Sequence, residues 1–165
     1  MYWNAFASAM ARYDELYRHG LPGHDELWEL VSDVRQSSNA LAEWCATRHF
    51  FQLWNRESVD ALAQVLRGGG FRRILELGAG RGILTRELRA RLEPEAEVLA
   101  VDDLAWCREW PDRRALVPVW VRVMDYASAL RELAPDLVIL PLPPDTREWA
   151  PLVRKTSSVR AYVML

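Results

Sequence analysis

The chain has 165 residues, half of them apolar, and its 21 basic and 23 acidic side chains leave a formal net charge of −2. That length suits one compact body with a real core and is too short for two large independent ones. The slightly acidic balance excludes a general attraction to phosphate backbones and argues against nucleic acid as a partner.

Cys45 and Cys107 are too few and too far apart for a disulfide framework or a sulfur-rich metal site, so no metal is expected and the thiols read as free. Met1 to Arg12 carries Trp3, Asn4 and Ser8 among small apolar residues and lacks the basic start and apolar core of a signal peptide. No apolar run has the length to span a bilayer. A cytoplasmic protein with no membrane partner is expected.

Taken in order, the chain opens with helical patterns. Phe6, Met10, Tyr13 and Tyr17 recur at three- and four-residue steps, and Gly20-Leu-Pro-Gly23 stops that helix. Asp25 is expected to cap a second helix carrying Leu27, Leu30, Val31 and Val34, which breaks at Ser37-Ser-Asn39. Leu41, Trp44, Cys45 and Arg48 mark a third face that runs into Phe50-Phe51 and Trp54. Val59, Leu62, Ala63 and Leu66 mark a fourth, ending at Gly68-Gly-Gly70. The three glycines read as a joint between a helical region, residues 1–70, and the rest, residues 71–165.

The next stretch is Arg73-Ile-Leu-Glu-Leu-Gly-Ala-Gly-Arg-Gly-Ile-Leu-Thr85. Ile74, Leu75 and Leu77 form an apolar run of strand length, glycines at 78, 80 and 82 interrupt it, and Ile83, Leu84, Leu88 and Leu92 then take up helical spacing. The pattern predicts strand, tight turn and helix. Glycine suits a place where a ligand lies against the main chain, because a Cβ would hold it off and the turn can require positive φ. Exposed amides at a helix start favour electron-rich groups. A dinucleotide fingerprint has its third glycine three residues after the second, a position filled here by Ile83.

The stretch Glu76-x-Gly78-x-Gly80-x-Gly82, with its flanking strand and helix, resembles motif I of the class I S-adenosylmethionine-dependent methyltransferases. The resemblance implies that Glu76 helps hold the methionine amino group, directly or through water. It also implies that Gly78, Ala79, Gly80 and Gly82 let the backbone approach the amino-acid and ribose portions. Helices ahead of the first strand in that family form a lid and substrate wall, a part that His49, Phe51, Trp54 and their neighbours Trp44, Phe50 and Asn55 could play. The same aromatics equally serve to pack helices onto a sheet, and a lone histidine such as His49 is more often a hydrogen-bonded structural residue than a base.

Beyond a turn at Pro94, Val98 to Val101 reads as a buried parallel strand ending in Asp102-Asp103. An acid at that tip can accept hydrogen bonds from two ribose hydroxyls, and the resemblance puts this role on Asp102, with Asp103 beside it. Paired aspartates also cap helices, and Leu104 to Trp110 reads as a short one. Val117, Val119, Val121 and Val123 alternate with Pro118, Trp120 and Arg122, which predicts an edge strand. By the resemblance, Met124 packs on the adenine ring and Asp125 takes its amino group.

Ala127 to Ala134 predicts a helix, and Leu137 to Leu140 a strand beside the first one, with Leu140 and Pro141 opening into the cofactor cleft. Nitrogen methyltransferases of the resembled family often carry an Asn or Asp, then proline, then an aromatic ring at this place. Pro141-Leu-Pro-Pro-Asp145 does not supply that set in any register, which argues against methylation of the adenine or glutamine kind. Asp145 to Trp149 predicts a helix closed near Pro151, and Ser158 to Leu165 a fifth strand. The resembled family usually continues with further strands. Here the fifth strand would be an exposed edge that pairs with a second copy, is covered by the helical part, or belongs to a shortened chain.

The expectation is therefore an α/β, Rossmann-like, mainly parallel sheet in the order 3-2-1-4-5, shortened at the C-terminus, with an N-terminal helical cap. The function implied by the resemblance is methyl transfer from S-adenosylmethionine to a small-molecule acceptor, leaving S-adenosylhomocysteine, with no residue whose spacing compels a catalytic role. The alternative is a partner subunit or degenerate relative that binds the nucleoside without turnover. A nicotinamide-dependent oxidoreductase is disfavoured by the glycine spacing.

Overall fold

The computed structural model describes residues 2–34, 40–48, 50, 52–108, 111–141 and 146–165. The chain divides into two compact units, Met1–Leu62 and Ala63–Leu165.

The first unit is helical, with α1 (Tyr2–Leu16), α2 (His24–Val34), α3 (Ala40–Arg48) and the opening turns of α4 (Arg56–Gly68). Its core is aromatic: Tyr13 and Trp44 lie with ring centres 5.1 Å apart, and Phe50 sits 4.6 Å from Trp44. An indole buried in such a cluster must satisfy its N–H, and Trp44 donates to Asp14 at 3.0 Å while the Arg48 guanidinium grips both oxygens of the same carboxylate. Trp44 and Phe50 thus pack helices against one another.

Asp25 does not cap α2. The Gly23 amide donates to Glu26 and the His24 amide to Glu57, whereas the Asp25 carboxylate, already inside the first turn, pairs with the His24 ring at 3.1 Å. The cap of α4 is Asn55, whose side-chain oxygen accepts from the Ser58 amide at 2.8 Å.

The second unit is a five-stranded sheet, all parallel, in the order β3-β2-β1-β4-β5. The strands are β1 (Arg73–Leu77), β2 (Glu97–Asp102), β3 (Val121–Val123), β4 (Leu137–Leu140) and β5 (Ala161–Met164). This is the α/β architecture and strand order expected from the sequence. Parallel strands need long crossovers, which cover both faces, and the central strands are accordingly continuous apolar runs. Leu75, Leu77, Leu99, Val101, Val138 and Leu140 face one way, onto Ala129 and Leu130 of α6 (Tyr126–Leu133) and Val153 of α7 (Thr146–Lys155). Their alternates, Ile74 and Glu76 in β1 and Val98 and Ala100 in β2, face the other way by the two-residue period. Glu76 meets α5 (Ile83–Leu92) on that side, whose Leu84, Leu88 and Leu92 are buried.

One aspartate ties the strand beginnings together. The Asp136 carboxylate accepts from the amides of Arg72 and Arg73 at 2.8 and 2.9 Å, and its own carbonyl accepts from the Arg160 amide at 2.9 Å. The entries to β1, β4 and β5 are joined through this residue.

Three elements differ from the periodicity. β3 starts only at Val121, because Pro118 lacks the N–H a ladder needs, its carbonyl closes a turn with the Val121 amide, and Val119 stands fully in solvent. α7 continues through Pro151 to Lys155, since Trp149, Leu152 and Val153 pack onto the sheet and outweigh the lost hydrogen bond. The strand predicted over Ser158 to Leu165 pairs only from Ala161 to Met164, preceded by a turn closed by the Val159 amide on the Thr156 carbonyl. The segment after β2 is two 3₁₀ turns, Ala105–Arg108 and Pro111–Leu116. Among the described residues no helix is long and apolar enough to cross a membrane.

Candidate functional site

The carboxyl ends of all five strands lie along one edge of the sheet, because every pairing is parallel. From β1 the chain moves outward to β2 and β3, then returns to place β4 on the other side of β1. Ligands of open α/β sheets bind in the crevice outside the strand ends at such a reversal. The glycine turn sits there, at the end of β1.

The turn is a run of left-handed residues, with Gly78 at φ +77°, Gly80 at +52° and Gly82 at +67°. Such values strain any residue with a Cβ. The Gly78 and Ala79 amides both donate to the Val101 carbonyl at the end of β2, and the Gly82 amide closes onto Ala79 at 2.7 Å. What the extra space of two of these glycines admits is the protein itself. A Cβ on Gly82 would lie 2.5 Å from two ring carbons of Trp120, and one on Gly78 would lie 3.3 Å from the Tyr126 hydroxyl.

Two carboxylates flank the turn, and both are nearly out of solvent, Glu76 at 2% exposure and Asp102 at 3%. Glu76 accepts from the amide and the hydroxyl of Thr85, in the first turn of α5. Burial pushes its carboxyl up to about 7 against the pull of those bonds, and the neighbouring Asp102 raises it further. Asp102 accepts from the Gly80 amide at 2.7 Å on one oxygen, and from the Leu104 amide at 2.7 Å and the Trp106 indole at 3.1 Å on the other. Burial raises its carboxyl too, opposed by the same three donors. Among the described residues neither acid pairs with an arginine, lysine or histidine.

The structure ties Gly80 to Asp102, Gly78 and Ala79 to the end of β2, and Gly82 to Ala79 by hydrogen bonds, while Glu76, just ahead of the same turn, bonds to Thr85. Asp103 is exposed, and its carboxylate accepts from the Ala105 amide as a cap of the 3₁₀ turn. Met124 is half-buried against the core, its amide on the Asp102 carbonyl at 3.2 Å. Asp125 is the N-cap of α6: its carboxylate accepts from the Ser128 amide, which holds it below the usual carboxylate range. Leu140 and Pro141 are buried at the end of β4. His49 and Phe51 lie outside the described residues. Trp54 belongs to the helical unit, where its carbonyl accepts from the Tyr17 hydroxyl at 3.0 Å.

Four site residues escape sequence reasoning. Thr85 is fully buried, and its one signal was a hydroxyl on the core face of α5. Tyr126 covers Gly78 and packs tilted on Trp149 with ring centres 4.1 Å apart, Trp120 covers Gly82 with Arg89 over its ring, and Trp106 reaches Asp102. Trp120 and Tyr126 come from elements distant in sequence from the glycines they cover, whereas Trp106 stands only four residues beyond Asp102. Among the described residues no three His, Cys, Asp or Glu side chains gather as metal ligands.

No protein-family model matches the sequence, and no curated protein matches it either. Among solved structures the chain is similar to the crystal structure of a Staphylococcus aureus protein provisionally assigned as a caffeoyl-CoA O-methyltransferase. The two share 13% identity at a TM-score of 0.44, over 75% of this chain and 66% of that one. The chain thus spans just under two thirds of that protein's length, and a likeness this distant carries no residue roles across.

Proposed function

We propose that the protein binds S-adenosylmethionine at the carboxyl edge of its sheet and transfers the methyl group to a small-molecule acceptor. The observation that carries this reading is the pair of buried carboxylates, Glu76 and Asp102, on either side of a left-handed glycine turn and without a cationic partner among the described residues. A buried carboxyl either keeps a proton, as burial inclines Glu76 and Asp102 to do, or ionises when a counter-charge arrives. S-adenosylmethionine brings two positive groups, its sulfonium and its amino group, whereas a dinucleotide brings an anionic pyrophosphate that two carboxylates would repel. The motif resemblance assigns the amino group to Glu76 and the ribose to Asp102, and the lack of a cationic partner for Glu76 among the described residues supports the first of these.

The residues fit the cofactor in kind. Glu76 supplies an acceptor for an ammonium group and Asp102 an acceptor for hydroxyls, while at Gly78 and Gly82 the space beside the main chain is taken by Tyr126 and Trp120. When bound, the cofactor supplies an activated methyl group. The chain's contribution is to fix that nucleoside and to exclude water, and alignment of donor and acceptor is then sufficient for an in-line displacement. A cytoplasmic location, a small-molecule acceptor and pairing of two copies through the β5 edge belong to the same proposal.

The second reading, a nucleoside binder without turnover, draws on a specific observation: the Asp102 carboxylate already takes three hydrogen bonds from its own chain. Calorimetric titration with S-adenosylmethionine, S-adenosylhomocysteine and NAD tests the binding, which is expected for the first two only. Binding of NAD alone, or of none, ends the proposal. Labelled methyl transfer into a cell extract, with Asp102→Ala as control, then separates enzyme from silent binder.

A further inference from the structure

Asp102 is closed off in an unusually specific way. Each carboxylate oxygen offers about two directions for accepting hydrogen bonds. One oxygen is filled, by the Leu104 amide at 2.7 Å and the Trp106 indole N–H at 3.1 Å; the other takes the Gly80 amide at 2.7 Å. A ribose diol gripped by a carboxylate needs one acceptor direction on each oxygen, and in this arrangement only one oxygen has a direction left. Asp102 as a whole is only 3% exposed, so a hydroxyl reaches it only if something moves.

The three donors differ in how readily they leave. Gly80 and Leu104 donate through the backbone. Gly80 is locked in the turn, and Leu104 is held left-handed at φ +55° with its side chain buried, a conformation that the bond to Asp102 helps to fix. Trp106 donates through a half-buried side chain on a single 3₁₀ turn, over the longest of the three bonds. An indole N–H turned outward finds water, so releasing it strands no buried donor.

We propose that Trp106 is the gate of the nucleoside site: its indole N–H occupies the place on Asp102 that a ribose hydroxyl takes, and binding exchanges one for the other as the Ala105–Arg108 turn swings the indole away. The gate rests on the nucleoside reading above and adds to it a residue and a movement. It accounts for a closed site in the free protein without loss of the acceptor: the carboxylate is preserved, buried and aimed, with a replaceable donor standing in.

The test uses the full chain and S-adenosylhomocysteine as probe. Trp106→Phe keeps an aromatic ring and removes the N–H, which frees the second acceptor direction. It is expected to bind the probe about tenfold more tightly than the unaltered chain, the equivalent of one hydrogen bond no longer displaced. In the unaltered, isotope-labelled protein, the Trp106 indole resonance, assigned through its bonds to its own backbone, is expected to move on titration to the position of a water-exposed indole. That second readout decides the matter if the variant folds poorly. Equal affinity of the two chains, or binding that leaves the Trp106 resonance in place, overturns the gate while the nucleoside reading stands. Absence of binding to either chain removes both.

Discussion

At the scale of single residues, the site is governed by what burial does to Glu76. Its carboxyl is raised from an ordinary 4.5 to about 7, so between those values the folded protein holds a proton that the unfolded chain has released. The stabilisation from the neutral form is complete below 4.5 and is lost as pH rises through 7. The span corresponds to about 3 kcal/mol. Denaturant unfolding from pH 5 to pH 8 is expected to show this decline, and Glu76→Gln, whose amide oxygen still accepts from Thr85, to flatten it. Asp102, raised by burial as well, contributes in the same direction and remains in that variant.

Binding of a cationic cofactor has the opposite slope. It favours the ionised carboxylate, so affinity for S-adenosylmethionine should rise with pH up to about 7 and level off above it. Calorimetry across that range would reveal the linkage, and a pH-independent affinity would remove Glu76 from contact with the amino group.

At the scale of elements, the glycine turn is held from outside as much as by its own backbone. Trp120, just before β3, leaves no room for a Cβ at Gly82. Gly82→Ala is therefore expected to cost more than the 1 to 2 kcal/mol or so of left-handed strain. In a Trp120→Ala background the cost should fall, and a double-mutant cycle is expected to give a coupling of about 1 kcal/mol or more. Additive effects would mean that the ring yields freely.

The strand entries offer a parallel case. Asp136→Ala would unlatch the amides of Arg72 and Arg73, which stand near solvent and can rebind water, so a loss of about 1 to 2 kcal/mol in denaturant unfolding is expected.

At the scale of the whole molecule, the sheet has two edges among the described residues, β3 and β5. β3 is only three residues long and follows a proline turn, which blunts it. β5 is the better template: four residues paired with β4, ending in Met164 at 51% exposure. If two copies join there, sedimentation should show a mass that rises with concentration, and Met164→Lys should abolish the rise by placing charge on the edge. A mass equal to one chain at all concentrations would leave β5 unpaired.

The sequence by itself determined the architecture. Ile74-Leu-Glu-Leu77, Val98 to Val101 and Leu137 to Leu140 are apolar runs too short for helices and separated by helical patterns, and only a parallel sheet covered on both faces accommodates that order. It also marked the turn, because positive φ at three alternate positions demands glycine, a requirement written locally. Tertiary structure alone decided what surrounds the turn. That Asp102 faces inward to Gly80 and that Trp120 and Tyr126 close over Gly82 and Gly78 are contacts between elements up to about fifty residues apart, and that Thr85 holds Glu76 and Trp106 reaches Asp102 is decided by packing as well. No period or spacing encodes such pairings, since hydrogen bonds and ring contacts depend on where the packed elements bring the side chains, and one-dimensional patterns record only which face each residue is on.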